Sequence, residues 1–289
     1  MTERDRKWTL LEVLDWTRGH FESKGIESPR LDAEVLLAHV LKTKRIMLYA
    51  RFDQPMQGKE LTEMRALVAR RAAGEPIAHL TGERELWSLG FEVSADVLIP
   101  RPDTEILVEV ALRRAPNART VVDVGTGSGA VLIAVLSELK EARGVGLEVS
   151  EPALEVARRN LARHGLEERA ELIRSNLLSD LRIGAPVELM VANLPYIPTP
   201  DIGQLALEVR GFEPHLALDG GPDGLDLIRS LITAARPTLA PGAMIALEAA
   251  PDQSEAISSS LEAAGYTDIE VTPDLAGHPR VTSARWPGK

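Results

Sequence analysis

The stretch RTVVDVGTGSGA, residues 119–130, decides the fold. Its short run of β-branched residues predicts a buried strand, and the glycines after it predict a sharp turn into the apolar helix that follows. Glycine lets a ligand approach the backbone, and the helix start offers free N–H groups. The stretch therefore predicts a nucleotide-binding loop. Because Gly125, Gly127 and Ala130 also fit the spacing G-x-G-x-x-A, a nicotinamide or flavin cofactor is an alternative at this point.

Downstream of this loop, short apolar runs alternate with helical segments such as 151–164 and 222–238. Such alternation predicts an α/β fold with a doubly wound, mostly parallel sheet. The last two strands are joined by the short segment PDLAGHP, which is too short for a helical crossover, so we expect them to be antiparallel. The seven predicted strands are 119–124, 144–148, 170–174, 187–192, 242–248, 267–272 and 280–286.

Upstream of the loop the pattern changes twice. Residues 1–76 carry apolar residues at helical spacing, with capping-box spacing at Thr9 and Glu12, and predict a small helical bundle. Residues 77–100 alternate large apolar and smaller residues around Gly90 and predict a β-hairpin linker. We therefore expect three parts: a helical domain over 1–76, the linker over 77–100 and a Rossmann-like domain over 101–289.

Composition excludes several classes of site. The chain has 289 residues, with 33 basic and 43 acidic residues and a formal charge of −10. It has no cysteine, which excludes disulfide scaffolds and thiolate metal sites. Its six histidines lack metal-ligand spacing, so no metal is expected. No run of about 18 apolar residues is present, which predicts a cytoplasmic protein without a membrane partner. The acidity argues against stable binding to nucleic acid.

Two polar residues follow the second and third predicted strands. Glu148 ends the second strand, where a carboxylate can accept hydrogen bonds from ribose hydroxyls; alternatively, it is a helix-start carboxylate. Asn176 follows the third strand and either accepts from an adenine amino group or is a turn residue. With the glycine loop, these residues predict a pocket for an adenosine-containing cofactor.

The tetrapeptide Asn193-Leu194-Pro195-Tyr196 ends the fourth predicted strand. The Asn side-chain oxygen and a neighbouring main-chain carbonyl can together accept both hydrogens of an –NH2 group, and the aromatic ring can stack on a flat substrate. Proline holds the two acceptors in place before substrate arrives. The motif favours methyl transfer to a planar nitrogen. An enzyme that transfers hydride does not need such a motif, so the cofactor is expected to be a methyl donor and not a nicotinamide.

With these residues the chain resembles the PrmC/HemK protein-(glutamine-N5) methyltransferases, which are class I S-adenosylmethionine-dependent enzymes. Three further segments carry the resemblance: LTGERELWSLGFEVSADVLIPRPDTE (80–105), FEPHLALDGGPDGLD (212–226) and DLAGHPRV (274–281). The resemblance implies a seven-stranded methyltransferase domain after a helical domain that docks the partner. It implies that the partner is a class 1 peptide chain release factor, presented through its Gly-Gly-Gln loop.

The resemblance also implies the roles of individual residues. The implied catalytic residues are Asn193, Pro195 and Tyr196, and Leu194 joins them in holding the substrate glutamine. The product cofactor would be S-adenosylhomocysteine. The implied cofactor-binding residues are Gly125, Thr126, Gly127, Ser128, Gly129, Glu148, Asn176, Leu177 and Asn193.

Three positions depart from the family pattern: Leu194 stands where Pro is usual, and Glu148 and Asn176 stand where Asp is frequent. Asn-Leu-Pro-Tyr is more typical of rRNA adenine dimethyltransferases, so an adenine-N6 methyltransferase acting on RNA or DNA is one alternative. A catalytically silent cofactor-binding module is another. Residues 201–274 contain 3 basic and 13 acidic residues, a local charge that favours a protein substrate over a phosphate backbone.

Overall fold

A computed structural model describes residues 8–288. The chain forms two compact units. The first runs to Gly82 and also contains Leu207–Phe212; the second holds Glu83–Ala206 and the chain from Glu213 onward. Within residues 8–288 no helix is both long enough and apolar enough to cross a membrane.

The first unit is helical. The predicted capping box is confirmed, because Thr9 Oγ1 accepts the Glu12 N–H at 3.3 Å and the Glu12 carboxylate accepts the Thr9 N–H at 3.0 Å. Residues 77–81, which the alternation assigned to a hairpin, form a helix after Pro76 instead. The helices are α1 (Leu10–Ser23), α2 (Pro29–Val40), α3 (Arg45–Tyr49), α4 (Gly58–Ala72) and α5 (Ile77–Thr81).

The second unit contains a hairpin and a seven-stranded sheet, which confirms the predicted fold class. The sheet order is β5-β4-β3-β6-β7-β9-β8, and β9 runs antiparallel to β7 and β8, as the short last connection predicted. The strands are β1 (Glu83–Leu86), β2 (Leu89–Glu92), β3 (Thr120–Val124), β4 (Arg143–Glu148), β5 (Ala170–Arg174), β6 (Val187–Ala192), β7 (Leu239–Glu248), β8 (Thr267–Pro273) and β9 (Pro279–Arg285).

Helices cover both faces of this sheet. One of them, α6, was not predicted, and α10 is shorter than the predicted 222–238 because residues before Asp226 form a loop. Two apolar clusters of buried residues form the core. The remaining helices are α6 (Thr104–Arg114), α7 (Ala130–Glu138), α8 (Glu151–Arg163), α9 (Leu207–Arg210), α10 (Asp226–Ala235) and α11 (Ser254–Ala263).

The α9 segment belongs to the first unit although it lies far along the chain. Arg71 donates to Asp32 at 2.7 Å and to Glu208 at 3.0 Å, and its side chain is only 11% exposed. The backbone of Gly74, at φ +99°, lies so close to Leu207 that a Cβ would stand 2.8 Å from its Cδ2. The helical unit therefore takes part of its packing from Leu207–Phe212.

We expect Leu189→Ala to lower the free energy of unfolding by about 2–5 kcal/mol, because the side chain is fully buried at the centre of the sheet and its loss leaves a cavity. The matched control is Leu275→Ala, whose side chain is fully exposed, and it should change the same quantity by less than about 0.5 kcal/mol. Urea denaturation of both variants measures the difference; equal values would contradict the assigned core.

Candidate active site

A cavity of about 310 Å³ lies where the carboxyl ends of β3, β4 and β6 meet. Two of the predicted site residues, Gly129 and Tyr196, are not among its lining residues. Gly129 instead starts α7 beside Ala157 of α8. The predicted residues that do line the cavity are Gly125, Thr126, Gly127, Ser128, Glu148, Asn176, Leu177, Asn193, Leu194 and Pro195.

The glycine loop is held from below by β3 and β4. The Leu147 carbonyl accepts the N–H groups of Gly125 and Thr126 at 2.8 and 3.0 Å, and the buried Asp123 carboxylate accepts the Thr126 hydroxyl at 2.7 Å. Burial raises the pKa of Asp123 to about 7. Gly125 has φ +75°, and its backbone lies against the Leu194 side chain. The loop is therefore fixed in a conformation that leaves its ligand-facing side bare.

Glu148 is bound to the loop through its own side chain. Its Oε2 accepts the Gly127 N–H at 3.1 Å, while Oε1 accepts the N–H groups of Val149 and Ser150 at 2.9 and 3.0 Å. Glu148 therefore makes the contacts at the start of α8 that its interpretation as a helix-start carboxylate predicts. A carboxylate has about four acceptor positions, so one remains for a ribose hydroxyl. The extra methylene relative to Asp lets Glu148 reach back to Gly127.

Asn160 is a positioning residue that the sequence analysis missed. It is fully buried in α8, and its Nδ2 donates to the carbonyls of Ser128 at 2.8 Å and Glu92 at 3.0 Å. Its Oδ1 accepts the Glu92 N–H at 2.7 Å. One amide thus joins β2 of the hairpin to the glycine loop. Its partners lie 32 and 68 positions away, so no local pattern could have revealed it.

The tetrapeptide at the end of β6 lies on the other wall of the cavity. Asn193 Nδ2 donates to Thr104 Oγ1 at 3.3 Å, and Leu194 is buried, with its side chain packed towards Gly125. Leu194 thus belongs to the packing of the loop. The Tyr196 ring is partly buried beside the core, and burial raises the pKa of its hydroxyl to about 12, so it stays neutral near pH 7.

The glycine-rich block after residue 212 supports the backbone of this tetrapeptide. Gly220 N donates to the Ile197 carbonyl at 2.9 Å, and Gln253 Nε2 donates to the Tyr196 carbonyl at 2.8 Å. A Cβ on Gly224, at φ +78°, would lie 2.1 Å from the Tyr196 carbonyl oxygen. The block therefore needs glycine because its backbone packs directly on the backbone of the site, a role that spacing alone does not indicate.

Glu248, at the end of β7, is a buried carboxyl that the sequence analysis also missed. It is 1% exposed, and its Oε2 has no hydrogen-bond partner among the described residues. Burial raises its pKa to about 7, although hydrogen bonds from Thr104 and Asn193 and the charge of Arg280 act in the opposite direction. Thr104 and Asn193 line the cavity, and Glu248 lies behind them.

Arg101 and Glu105 flank the proline-rich entry to the domain, and they bind different partners. Arg101 pairs at 2.5 Å with the buried Glu213, whose other oxygen accepts the Ile99 N–H at 3.0 Å. Glu105 accepts the Trp87 N–H at 2.8 Å. Both therefore hold the proline-rich entry to the domain. No cluster of three or more His, Asp or Glu side chains able to hold a metal occurs in the described part of the chain.

Comparisons with known proteins agree with this arrangement. A family model described as PrmC N-terminal domain matches residues 12–82, and one described as methyltransferase small domain matches residues 102–205. Among solved structures, a methyltransferase from Pyrococcus furiosus has a TM-score of 0.52 and 18% identity, covering 79% of this chain and 100% of that one. This likeness concerns the fold, and it matches the seven-stranded sheet described above.

Two curated relatives extend the likeness over nearly the whole chain. A release factor glutamine methyltransferase from Geobacter sulfurreducens is 44% identical over 288 residues, covering 99% of both chains. Another from Rhodopirellula baltica is 37% identical over 290 residues, covering 98% of both. Each likeness includes both compact units.

We expect Asn160→Ala to lower the free energy of unfolding by about 1–3 kcal/mol, because it removes the hydrogen bonds to the buried Ser128 carbonyl and to the partly buried main chain of Glu92. It should also weaken binding at the glycine loop. The control Asn117→Ala removes an exposed amide and should leave both quantities near wild type. Urea denaturation and ligand titration calorimetry measure them, and a wild-type result for Asn160→Ala would remove its assigned role.

Proposed function

The chain belongs to the release factor glutamine methyltransferase family, and from this premise we propose its substrates. It transfers a methyl group from S-adenosylmethionine to the side-chain nitrogen of the glutamine in the Gly-Gly-Gln motif of a class 1 release factor, leaving S-adenosylhomocysteine. The observation that carries the proposal is the position of Asn193 and Pro195 on the wall of the cavity that the glycine loop forms.

The cavity fits an adenosine-containing methyl donor. Gly125 to Ser128 give a bare backbone edge, Glu148 keeps an acceptor position that a ribose hydroxyl would use, and Asn176 and Leu177, which also line the cavity, would hold the base. Gly129 contributes by setting the start of α7. When bound, the cofactor supplies an electrophilic methyl on a sulfonium.

The other wall suits a glutamine side chain. An amide nitrogen is a weak nucleophile because its lone pair is delocalised, so catalysis depends on orientation and on acceptors for its two hydrogens. Asn193 Oδ1 and the carbonyl of Leu194 or Pro195 would be these acceptors. Tyr196 does not line the cavity, and its ring packs against the core behind this wall. In the transfer the nitrogen would form a bond to the methyl carbon, the carbon–sulfur bond of the donor would break with its electrons remaining on sulfur, and the nitrogen would then lose a proton to solvent.

Nucleic acid is a poorer substrate than a protein, but the acidic charge of segment 201–274 is weaker evidence for this than the sequence suggests. Several of its carboxylates are paired with arginines from other parts of the chain. The stronger evidence against a nucleic-acid substrate is the scarcity of positive charge, because residues 187–228 contain a single Lys or Arg residue, Arg210. A phosphate backbone would find few partners beside the tetrapeptide. The alternative of adenine methylation therefore receives less support than glutamine methylation.

We assign the docking of the release factor to the helical domain predicted over residues 1–76, with 77–100 as the linker and 101–289 as the catalytic domain. The match of residues 12–82 to the PrmC N-terminal model supports a family-specific role for this region. Its exposed apolar side chains include Ile46, Met47 and Tyr49 of α3, which are 70%, 39% and 45% exposed.

Incubation with methyl-labelled S-adenosylmethionine and either a release factor or rRNA tests the substrate. We expect label on the glutamine of Gly-Gly-Gln, located by mass spectrometry of the digested factor, and none on RNA. A release factor with Gln replaced by Ala in that motif is the control and should remain unlabelled. Label on RNA alone would favour the adenine alternative, and binding of the cofactor without any transfer would favour the silent module.

We expect Asn193→Ala to reduce transfer by about 100-fold or more, since it removes an acceptor that orients the nucleophile, while cofactor affinity stays largely intact. Transfer kinetics and calorimetry of S-adenosylhomocysteine binding measure the two effects. Asn117→Ala, which removes an exposed amide elsewhere, is the matched control. Wild-type turnover in Asn193→Ala would show that another group holds the substrate amide.

A further inference from the structure

Glu248 is placed beside Asn193 by the register of the sheet. Ala192 of β6 is paired with Leu247 of β7, so the next residues on these parallel strands, Asn193 and Glu248, are neighbours at the carboxyl edge. Thr104, the first residue of α6 and 3% exposed, completes the group. Three polar side chains from three elements thus meet behind one wall of the cavity.

The hydrogen bonds of this group have one possible direction when Glu248 is ionised. A carboxylate accepts and cannot donate, so in a hydrogen bond between the two the Thr104 hydroxyl, which acts to lower the pKa of Glu248, is the donor. The Thr104 oxygen is then available as an acceptor, and Asn193 Nδ2 donates to it at 3.3 Å. The Asn193 side chain also acts to lower the pKa of Glu248, so it too stabilises the ionised carboxylate. Asn193 Nδ2 is thus bound inside the protein.

We propose that Glu248 is a positioning residue, which through Thr104 holds the Asn193 amide with Oδ1 turned towards the substrate. This rests on the proposed function, in which Oδ1 accepts from the glutamine amide. An Asn side chain has nearly the same shape when its amide is flipped, and a flipped amide would present donors to a substrate that also donates. An acceptor-only group behind the site excludes that flip.

Several charged groups surround this carboxyl. Arg280 of β9 binds Asp103 at 3.0 Å and Asp274 at 3.4 Å, and Tyr196 lies on the side of the tetrapeptide. Asp123 is a second buried carboxyl that titrates near pH 7, at the glycine loop. Protonation of Glu248 turns it into a donor, so the hold on Asn193 should weaken as the pH falls through about 7 and strengthen as it rises.

Transfer kinetics test the proposal. We expect Glu248→Gln, which can donate to Thr104, to lower kcat by about 10- to 100-fold with little change in cofactor affinity. Thr104→Val should do the same, the double variant should lose no more than either single one, and Thr104→Ser should recover most of the rate lost in Thr104→Val. Thr282→Val, which removes a buried hydroxyl outside the site, is the control for the loss of a hydroxyl. Additive losses, or a wild-type kcat in Glu248→Gln, would overturn the proposal.

A second measurement does not require turnover. The chain has four asparagines, so selective ¹⁵N labelling gives four side-chain amide signals, and the Asn193→Ala variant identifies the signal of Asn193. This signal should shift with a midpoint near pH 7 in the wild type and lose that titration in Glu248→Gln. Because Glu248→Gln retains Asp123, a titration that survives would assign the effect to Asp123 and overturn the proposal. Wild-type protein that titrates but transfers no methyl would refute the proposed function alone.

Discussion

The parallel pairing of β6 between β3 and β7 is the constraint on which the site depends. Parallel neighbours end at the same edge of a sheet, so the residues after β3, β6 and β7 meet although they are distant in sequence. The glycine loop follows β3, Asn193 follows β6, and Glu248 ends β7. A slip of one residue in the β6–β7 register would turn Asn193 and Glu248 to opposite faces and separate them.

Backbone proximity is the second requirement, and it explains where glycine is found. Gly125 leaves room for Leu194, and Gly224 leaves room for the Tyr196 carbonyl. The tetrapeptide is thus packed between the glycine loop and the glycine-rich block. Gln253, the residue before α11, donates a hydrogen bond to the Tyr196 carbonyl. Such packing keeps a short, proline-stiffened segment in one conformation, so that little order has to be gained when substrate binds.

The sheet, its antiparallel last pair and the candidate residues at its edge were predictable because each leaves a local signal: an apolar run, a connection length, or a polar residue after a strand. The missed helices α3 and α5 have five residues each, too few for a periodic pattern. Asn160, Thr104 and Glu248 were missed for a different reason. Their partners are brought close only by packing; Thr104 and Asn193, for example, are 89 positions apart. The sequence around each of them gave no indication of which groups it would meet.

The inclusion of Leu207–Phe212 in the helical unit has a consequence for the order in which the protein is made. Glu208 is the partner of Arg71, and Leu207 covers Gly74, so the packing of this unit is incomplete until the ribosome has passed Phe212. By then the glycine loop and strands β3 to β6 have already emerged. The helical unit therefore completes its packing only after much of the second unit has been made, and a fragment ending at Gly82 would expose apolar surface and leave Arg71 without one of its two carboxylates.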